Sequence, residues 1–325
     1  MVFSSSIFLF IFFPLILICY FNPFFRGRKF RNAVLLIFSL AFYAYGEPLF
    51  VLLMIFSICV NYVFGILIDK NAVKNRQKLK KLWLILAIIW NIGILFIFKY
   101  LSFVSKIIAE HFAFIATNSV SIALPIGISF FTFQILSYII DLYNQKCGVQ
   151  KNIFNLALYI SLFPQLIAGP IVRYSTVENE IENRTENSQD VTNGFVRFVF
   201  GLGKKCLLAN YMAVIADVVF NGFDAGIIPS ALDAWLWAIA YSLQIYFDFS
   251  GYSDMAIGLG LIFGFHFNEN FNYPYMARSI TDFWRRWHIS LSSWFRDYVY
   301  IPLGGSRCSK AKIVRNTFVI FLLSG

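Results

Sequence analysis

Charge is scarce in this sequence. Of its 325 residues only 14% are Asp, Glu, Lys or Arg, against about 25% in soluble globular chains, which excludes an ordinary water-soluble globule. Cysteine is sparse as well. Cys19, Cys59, Cys147, Cys206 and Cys308 are scattered, with no Cys-x-x-Cys pair and no histidine at zinc-finger spacing, so neither a disulfide framework nor a structural zinc is indicated. No Gly-rich phosphate loop, Gly-x-Ser-x-Gly or His-Glu-x-x-His occurs, and no inverted repeat relates the halves, which weakens hydrolase, metalloprotease and transporter readings. The apolar run Phe3 to Phe25 lacks a preceding positive charge and a small-residue cleavage site. It reads as a first span and not as a cleaved signal peptide.

What is abundant is apolar side chain. Hydrophobic residues make up 59% of the chain and phenylalanine alone occurs 39 times, in long blocks broken by short polar stretches. That is the pattern of an all-α, multi-pass integral membrane protein with about eight to ten embedded helices, because each span needs roughly 20 apolar residues. The net charge of +10 sits mainly in short loops. There it reports orientation, and no nucleic-acid partner is expected. Arg26 to Arg31 and Lys70 to Lys81 are two such loops, both cytoplasmic by the positive-inside rule, with the N-terminus outside and the chain in the cytoplasmic membrane.

Between those loops, Ala33 to Tyr45 and Leu49 to Ile68 form a helical hairpin split at Gly46-Glu47-Pro48, and Leu82 to Phe98 is the next span. Ser105 to Ser121, with His111, suggests an interfacial helix. Ile122 to Ile140 carries Pro125, Gly127 and Gln134, features tolerated in lipid where neighbouring protein satisfies the backbone. Ile153 to Pro170 reads as a broken or buried helix, Arg173 to Asp190 as a solvated loop without a site, and Gly194 to Leu208 as an interfacial helix that Tyr211 to Phe220 continues. The segments Leu232 to Phe249 and Tyr252 to Phe265 are expected to be separated by a break at Ser250-Gly251. Gly260-x-x-x-Gly264 matches a common helix-packing pattern. A last apolar segment runs for about 13 residues from Ile313 to Gly325, so the chain is expected to stop within a helix.

Two constellations carry possible chemistry. In Gln244-Ile-Tyr-Phe-Asp248-Phe-Ser-Gly-Tyr252-Ser-Asp254, carboxylates lie inside apolar sequence, where ionised groups are costly and suggest function. Gln244, Asp248 and Tyr252 share one helical face. The competing reading makes the carboxylates caps of broken helix ends, or partners of Arg285 and Arg286. In the second run, Thr281 to Asp297, Ser279 and Asp282 form a helix-start signature. Helical spacing then places Trp284, Trp287, His288, Leu291 and Phe295 on one face and Arg285, Ser292 and Arg296 on another. An interfacial aromatic anchor explains this pattern. So does a site in which His288 exchanges protons near its ordinary pKa of about 6.5, while Arg285, Arg286 and Arg296 hold donor phosphates. His111 and His266 are weaker candidates.

The motifs Tyr246-Phe-Asp248-Phe-Ser-Gly251-Tyr-Ser-Asp254, Asn272-Tyr-Pro-Tyr, Asp282-Phe-Trp-Arg-Arg-Trp-His288 and Ile301-Pro-Leu-Gly-Gly305 together resemble the bacterial membrane-bound O-acyltransferase family. The branch is that of the alginate and peptidoglycan O-acetyltransferases, with the teichoic acid D-alanyl transferases more distant. Pro125 to Gln134 and Phe163 to Arg173 extend the likeness. It implies one helical membrane domain over residues 1–325, with first spans in 1–100, core motifs in 122–173 and 241–305, re-entrant segments and a central cavity. The implied activity transfers an acyl group, acetyl in this branch, from a cytoplasmic thioester to a hydroxyl of a cell-surface polysaccharide. The donor is acetyl-CoA or an acyl carrier protein, no cofactor or metal is bound, and membrane lipid surrounds the protein. An extracytoplasmic SGNH-type esterase or transferase is the implied partner. His288 matches a supporting histidine, and Gln244, Asp248, Tyr252, Asp254, Asp282, Arg285, Arg286 and Arg296 are the implied site-supporting set. The principal histidine is expected in a Trp-His-Gly motif beyond Gly325, so the chain is expected to be incomplete and inactive as given. A non-catalytic scaffold and a lipid or polysaccharide transporter are the alternatives.

Overall fold

A computed structural model describes residues 1–105, 123–167, 169–224, 226 and 230–324. Among these residues there are helices and turns and no strand. In chain order the helices are α1 (Phe8–Tyr20), α2 (Arg28–Gly46), α3 (Phe50–Val73), α4 (Gln77–Ser105), α5 (Ile128–Tyr143), α6 (Ile153–Ser161) and α7 (Phe163–Leu166). They continue with α8 (Tyr174–Asn183), α9 (Ser188–Gly222), α10 (Ala231–Ile262), α11 (Ile280–Arg286), α12 (Ile289–Phe295) and α13 (Lys310–Ser324). Three of the described helices, α3, α4 and α9, are long and apolar enough to cross a membrane. The segment expected beyond Ser105, including His111, lies outside the described residues.

The chain divides into two compact units, one built chiefly from Met1–Ile18 and Arg184–Ser292, the other from Cys19–Ile167, Ile171–Asn183 and Ser293–Gly325. In the second unit, α3 and α4 are joined by a reciprocal amide clasp. Asn91 Nδ2 donates to Asn61 Oδ1 at 2.7 Å and Asn61 Nδ2 donates back to Asn91 Oδ1 at 3.2 Å, both residues being buried. Polar glue of this kind holds helices together where an apolar contact is no better than lipid. Helix α5 starts at Ile128, after Gly127, whose φ of +75° suits glycine and whose missing Cβ leaves room for the Leu166 carbonyl 2.8 Å from where that atom would sit. Gln134 is fully buried, and its amide finds no protein partner. The expected break in Ile153 to Pro170 is present between α6 and α7, and both are largely buried.

Three expectations need correction. Arg173 to Asp190 is not simply a solvated loop: it contains α8, whose Tyr174, Val177 and Ile181 are buried one turn or two apart. The interfacial helix starts earlier, at Ser188, and with the continuation expected over 211–220 it forms one 35-residue helix, α9, long and apolar enough to cross a membrane and started by an Asn187 side chain that accepts from Asp190 N. Finally, Ser250-Gly251 does not break the chain. Helix α10 runs 32 residues from a Ser230–Asp233 capping box.

The reason Gly251 sits mid-helix is packing. A Cβ on Gly201 would lie 2.6 Å from the Gly251 carbonyl, and one on Gly194 would lie 2.6 Å from that of Gly258. Residue pairs 194/258 and 201/251 run in opposite senses, so α9 and α10 are antiparallel with their backbones in contact along this seam. Small residues permit such an approach. Gly260, the first glycine of the motif singled out in the sequence, meets the Phe267 ring instead.

Candidate active site

The first unit contains a cavity of about 410 Å³ lined by Arg197 and Lys204 of α9, by Tyr246, Ser250, Ser253 and Asp254 of α10, and by the Glu269–Tyr273 segment with Ile289. One face of α10 supplies its wall at i, i+4, i+7 and i+8. That is a different stripe from Gln244, Asp248 and Tyr252. Gln244 is half-buried and outside the lining, and the Tyr252 ring stacks on Phe3 at 4.4 Å between centroids. The hydroxyls of Ser250 and Ser253 are buried without a protein partner, which marks the wall as a place with unused hydrogen-bonding capacity.

Asp248 and Asp254 of α10 are both paired, with α9 and not with Arg285 or Arg286. Arg197 Nη2 donates to Asp254 Oδ1 at 2.8 Å, Lys204 Nζ to Asp254 Oδ2 at 2.6 Å, and Lys205 pairs with Asp248. Arg197 Nη1 also donates to Glu269 Oε1 at 2.6 Å. Two adjacent lysines reach the same neighbouring helix because Lys204–Ala209 is a π-helical turn. Its i→i+5 pitch lowers the angle between successive residues, and such bulges recur at functional sites.

His288 is held where the long helix expected over 280–297 in fact breaks. Ser279 Oγ accepts from Asp282 N to start α11, Trp287 leaves the helix with extended dihedrals, and His288 adopts φ of +43° before α12 begins. A non-glycine residue in this region costs on the order of 1 kcal/mol. An aromatic nest offsets that cost: Trp287 packs edge-on to Phe271 at 5.2 Å and parallel to Phe283 at 5.6 Å, and Phe249 meets the imidazole edge at 4.8 Å. Because of the break, the single aromatic face drawn through Trp284, Trp287, His288, Leu291 and Phe295 does not exist.

His288 Nδ1 lies 3.0 Å from Asn270 Oδ1, and Ile289 N donates to the Asn270 carbonyl at 2.9 Å. Thus the histidine is tied to two cavity-lining residues. Burial holds its pKa down at about 4, below the ordinary 6.5. At neutral pH it is an uncharged hydrogen-bonding group and a weak base, not the near-neutral proton exchanger that its unperturbed pKa suggests.

The remaining expected residues are dispersed. Arg286 Nε donates to Asp282 Oδ1 at 3.0 Å, and this bond, more than any other influence, holds the Asp282 carboxyl below its usual range. Arg285 is exposed and outside the cavity lining. Arg296 belongs to the other unit, where Asp297 accepts from its Nε at 2.7 Å and also pairs with Arg173 at 2.7 Å. The three arginines therefore form no common phosphate clamp within one unit. His266 faces Asp190 at 3.3 Å, away from the cavity lining. Arg197, Lys204, Ser250, Ser253 and Asn270 are among the lining residues that lie outside the expected site set.

The family model for membrane-bound O-acyltransferases matches residues 144–325. The chain belongs to the membrane-bound O-acyltransferase family. It is 45% identical to the probable alginate O-acetylase AlgI of Pseudomonas aeruginosa, over 100% of this chain and 61% of that protein. It is 36% identical to the peptidoglycan O-acetyltransferase of Helicobacter pylori, over 100% of this chain and 66% of the relative. Against the teichoic acid D-alanyltransferase of Bacillus subtilis the figure is 29%, over 83% of this chain and 69% of the relative. The chain thus spans less than two thirds of the first relatives it matches.

Proposed function

We propose that this membrane-bound O-acyltransferase chain serves the transfer of an acetyl group from a cytoplasmic thioester, acetyl-CoA or an acyl carrier protein, to hydroxyls of an extracytoplasmic cell-surface polysaccharide. The two O-acetylase relatives support the acceptor and the acyl group. An SGNH-type partner outside the cytoplasmic membrane completes the transfer in this reading. The observation that carries it is the neutral, buried His288 tied to the wall of a polar cavity. In the reaction the acceptor oxygen attacks the thioester carbonyl, the new C–O bond forms, the C–S bond breaks, and the hydroxyl proton ends on the released thiol. A weakly basic imidazole fits a supporting role: it accepts a hydrogen bond from the attacking hydroxyl and orients it. The Ser250 and Ser253 hydroxyls and the Arg197 and Lys204 cations supply polar contacts in a water-poor pocket, where such contacts count for more than in water.

The test uses the full-length protein in lipid vesicles with a radiolabelled acetyl thioester and a polysaccharide acceptor. Alkali-labile label on the polysaccharide, with thiol release in equal amount, is the expected result. Movement of acceptor or lipid across the vesicle without ester formation would favour a transporter. Binding of a partner protein with no thiol release in its presence would favour a scaffold.

A further inference from the structure

Asn270 is fully buried and lines the cavity with its neighbours on the Glu269–Tyr273 segment. Its Oδ1 collects three groups. Ser290 Oγ donates to it at 2.8 Å, Ser290 N donates at 3.3 Å, and His288 Nδ1 sits 3.0 Å away. A backbone N–H can only donate, so the amide atom facing Ser290 N must be the oxygen. The same oxygen has no hydrogen to give, so the imidazole nitrogen facing it must carry one. The Ser290 hydroxyl, 3.4 Å from Nδ1, agrees: with its hydrogen committed to Asn270 it presents a lone pair to the ring. Asn270 Nδ2, in contrast, is buried with no partner. Turning the amide over would set its N–H donors against the Ser290 backbone N–H, which can only donate.

We propose that Asn270 is the positioning residue of this site: its Oδ1 fixes His288 as the Nδ1–H tautomer and leaves Nε2 as the ring's acceptor nitrogen. The choice of an amide is part of the arrangement. A carboxylate in the same place would draw a second proton onto the ring and make it a cation, whereas a neutral oxygen orients the imidazole without charging it. Ser290 completes the device by holding the amide in register. The inference rests on the acyl-transfer reading for its kinetic consequence alone. The tautomer itself is independent of any activity.

The experiment is nitrogen NMR of ring-¹⁵N-histidine protein, full length and in lipid. The sequence given holds three histidines, and the His288→Gln variant assigns the signals of interest. We expect one protonated nitrogen, Nδ1, and one bare nitrogen, Nε2, unchanged from about pH 7.5 to about pH 5. Asn270→Ala should give mixed tautomers. Asn270→Asp, equal in size and so the safer variant for folding, should protonate both nitrogens at neutral pH. It should also lower kcat on the order of 10²-fold with KM little changed, the loss being reversed as pH rises. Ser290→Ala should keep the wild-type tautomer. A proton on Nε2 in the wild type, or an Asn270→Asp spectrum identical to wild type, would overturn the proposal. If the spectra behave as expected while no acyl transfer is found, the positioning role stands and the functional reading fails.

Discussion

The α9–α10 and α3–α4 pairs solve the same problem, holding two long helices together, with opposite polar chemistry. Helices α3 and α4 use one neutral amide clasp, Asn61 with Asn91, buried on both sides. Helices α9 and α10 bring their backbones into contact through Gly194, Gly201, Gly251 and Gly258, and spend charge on the seam: Arg197 and Lys204 on Asp254, Lys205 on Asp248. Neutral glue suffices where adhesion is the whole task. Charge is retained where a cavity opens beside it, since ionised groups in apolar surroundings are costly and persist chiefly where they serve a site. The glycines give the cations their reach, because only a close approach lets lysines of a π turn meet carboxylates on the next helix.

The sharpest way to break this contrast is at the seam. Gly201→Leu must push the Gly251 carbonyl away from a position 2.6 Å from the new Cβ, and overpacking of that kind costs about 3 kcal/mol or more. Gly93→Ala in α4, with nothing within 4 Å of the new Cβ, should not destabilise and should gain up to about 1 kcal/mol from helix propensity. Thermal unfolding in detergent compares the two directly.

Next in size is a pH effect in the cavity unit that the amide clasp cannot show. His288 has a folded pKa of about 4 and an unfolded one of about 6.5. Between those values the unfolded chain holds a proton that the folded chain lacks, so stability falls as pH drops through that window. The full loss is about 3 kcal/mol. In His288→Asn the corresponding slope should flatten.

Asn61→Leu strands Asn91 in an apolar setting and should cost about 1–2 kcal/mol, most of it regained in the Asn61→Leu/Asn91→Leu double variant. Smallest of all is Lys205→Met. Its partner Asp248 is 44% exposed, so solvent screening should hold the loss below about 1 kcal/mol. A loss of several kcal/mol there would mean that charge, and not glycine contact, holds the seam.

How much of this was legible in the sequence follows from which forces act locally. The helices α3 and α4 and the break between α6 and α7 could be read, because long apolar runs and a proline inside one are local signals. Helix α8 was legible too, in the spacing of Tyr174, Val177 and Ile181, but the surrounding polar residues outweighed it. The continuity of α10 was not. Ser250-Gly251 looks like a break until α9 supplies the contact that explains the glycine. For the same reason the stripe of Gln244, Asp248 and Tyr252 drew attention, when the cavity takes Tyr246, Ser250, Ser253 and Asp254. The sequence places His288 among aromatics, and the structure sets it in an aromatic nest, buried in a way that its spacing does not show. Its backbone kink and its Asn270 partner, 18 residues away, depend on tertiary packing that no spacing rule encodes.

Under the proposed function, acyl transfer is supported at the cavity beside His288. The most direct measurement compares kcat for acetyl-ester formation in the full-length wild type and His288→Ala, both shown by thermal unfolding to be folded. A fall on the order of 10²-fold, with donor KM little changed, is the predicted result; His288→Ala turning over at the wild-type rate would contradict it.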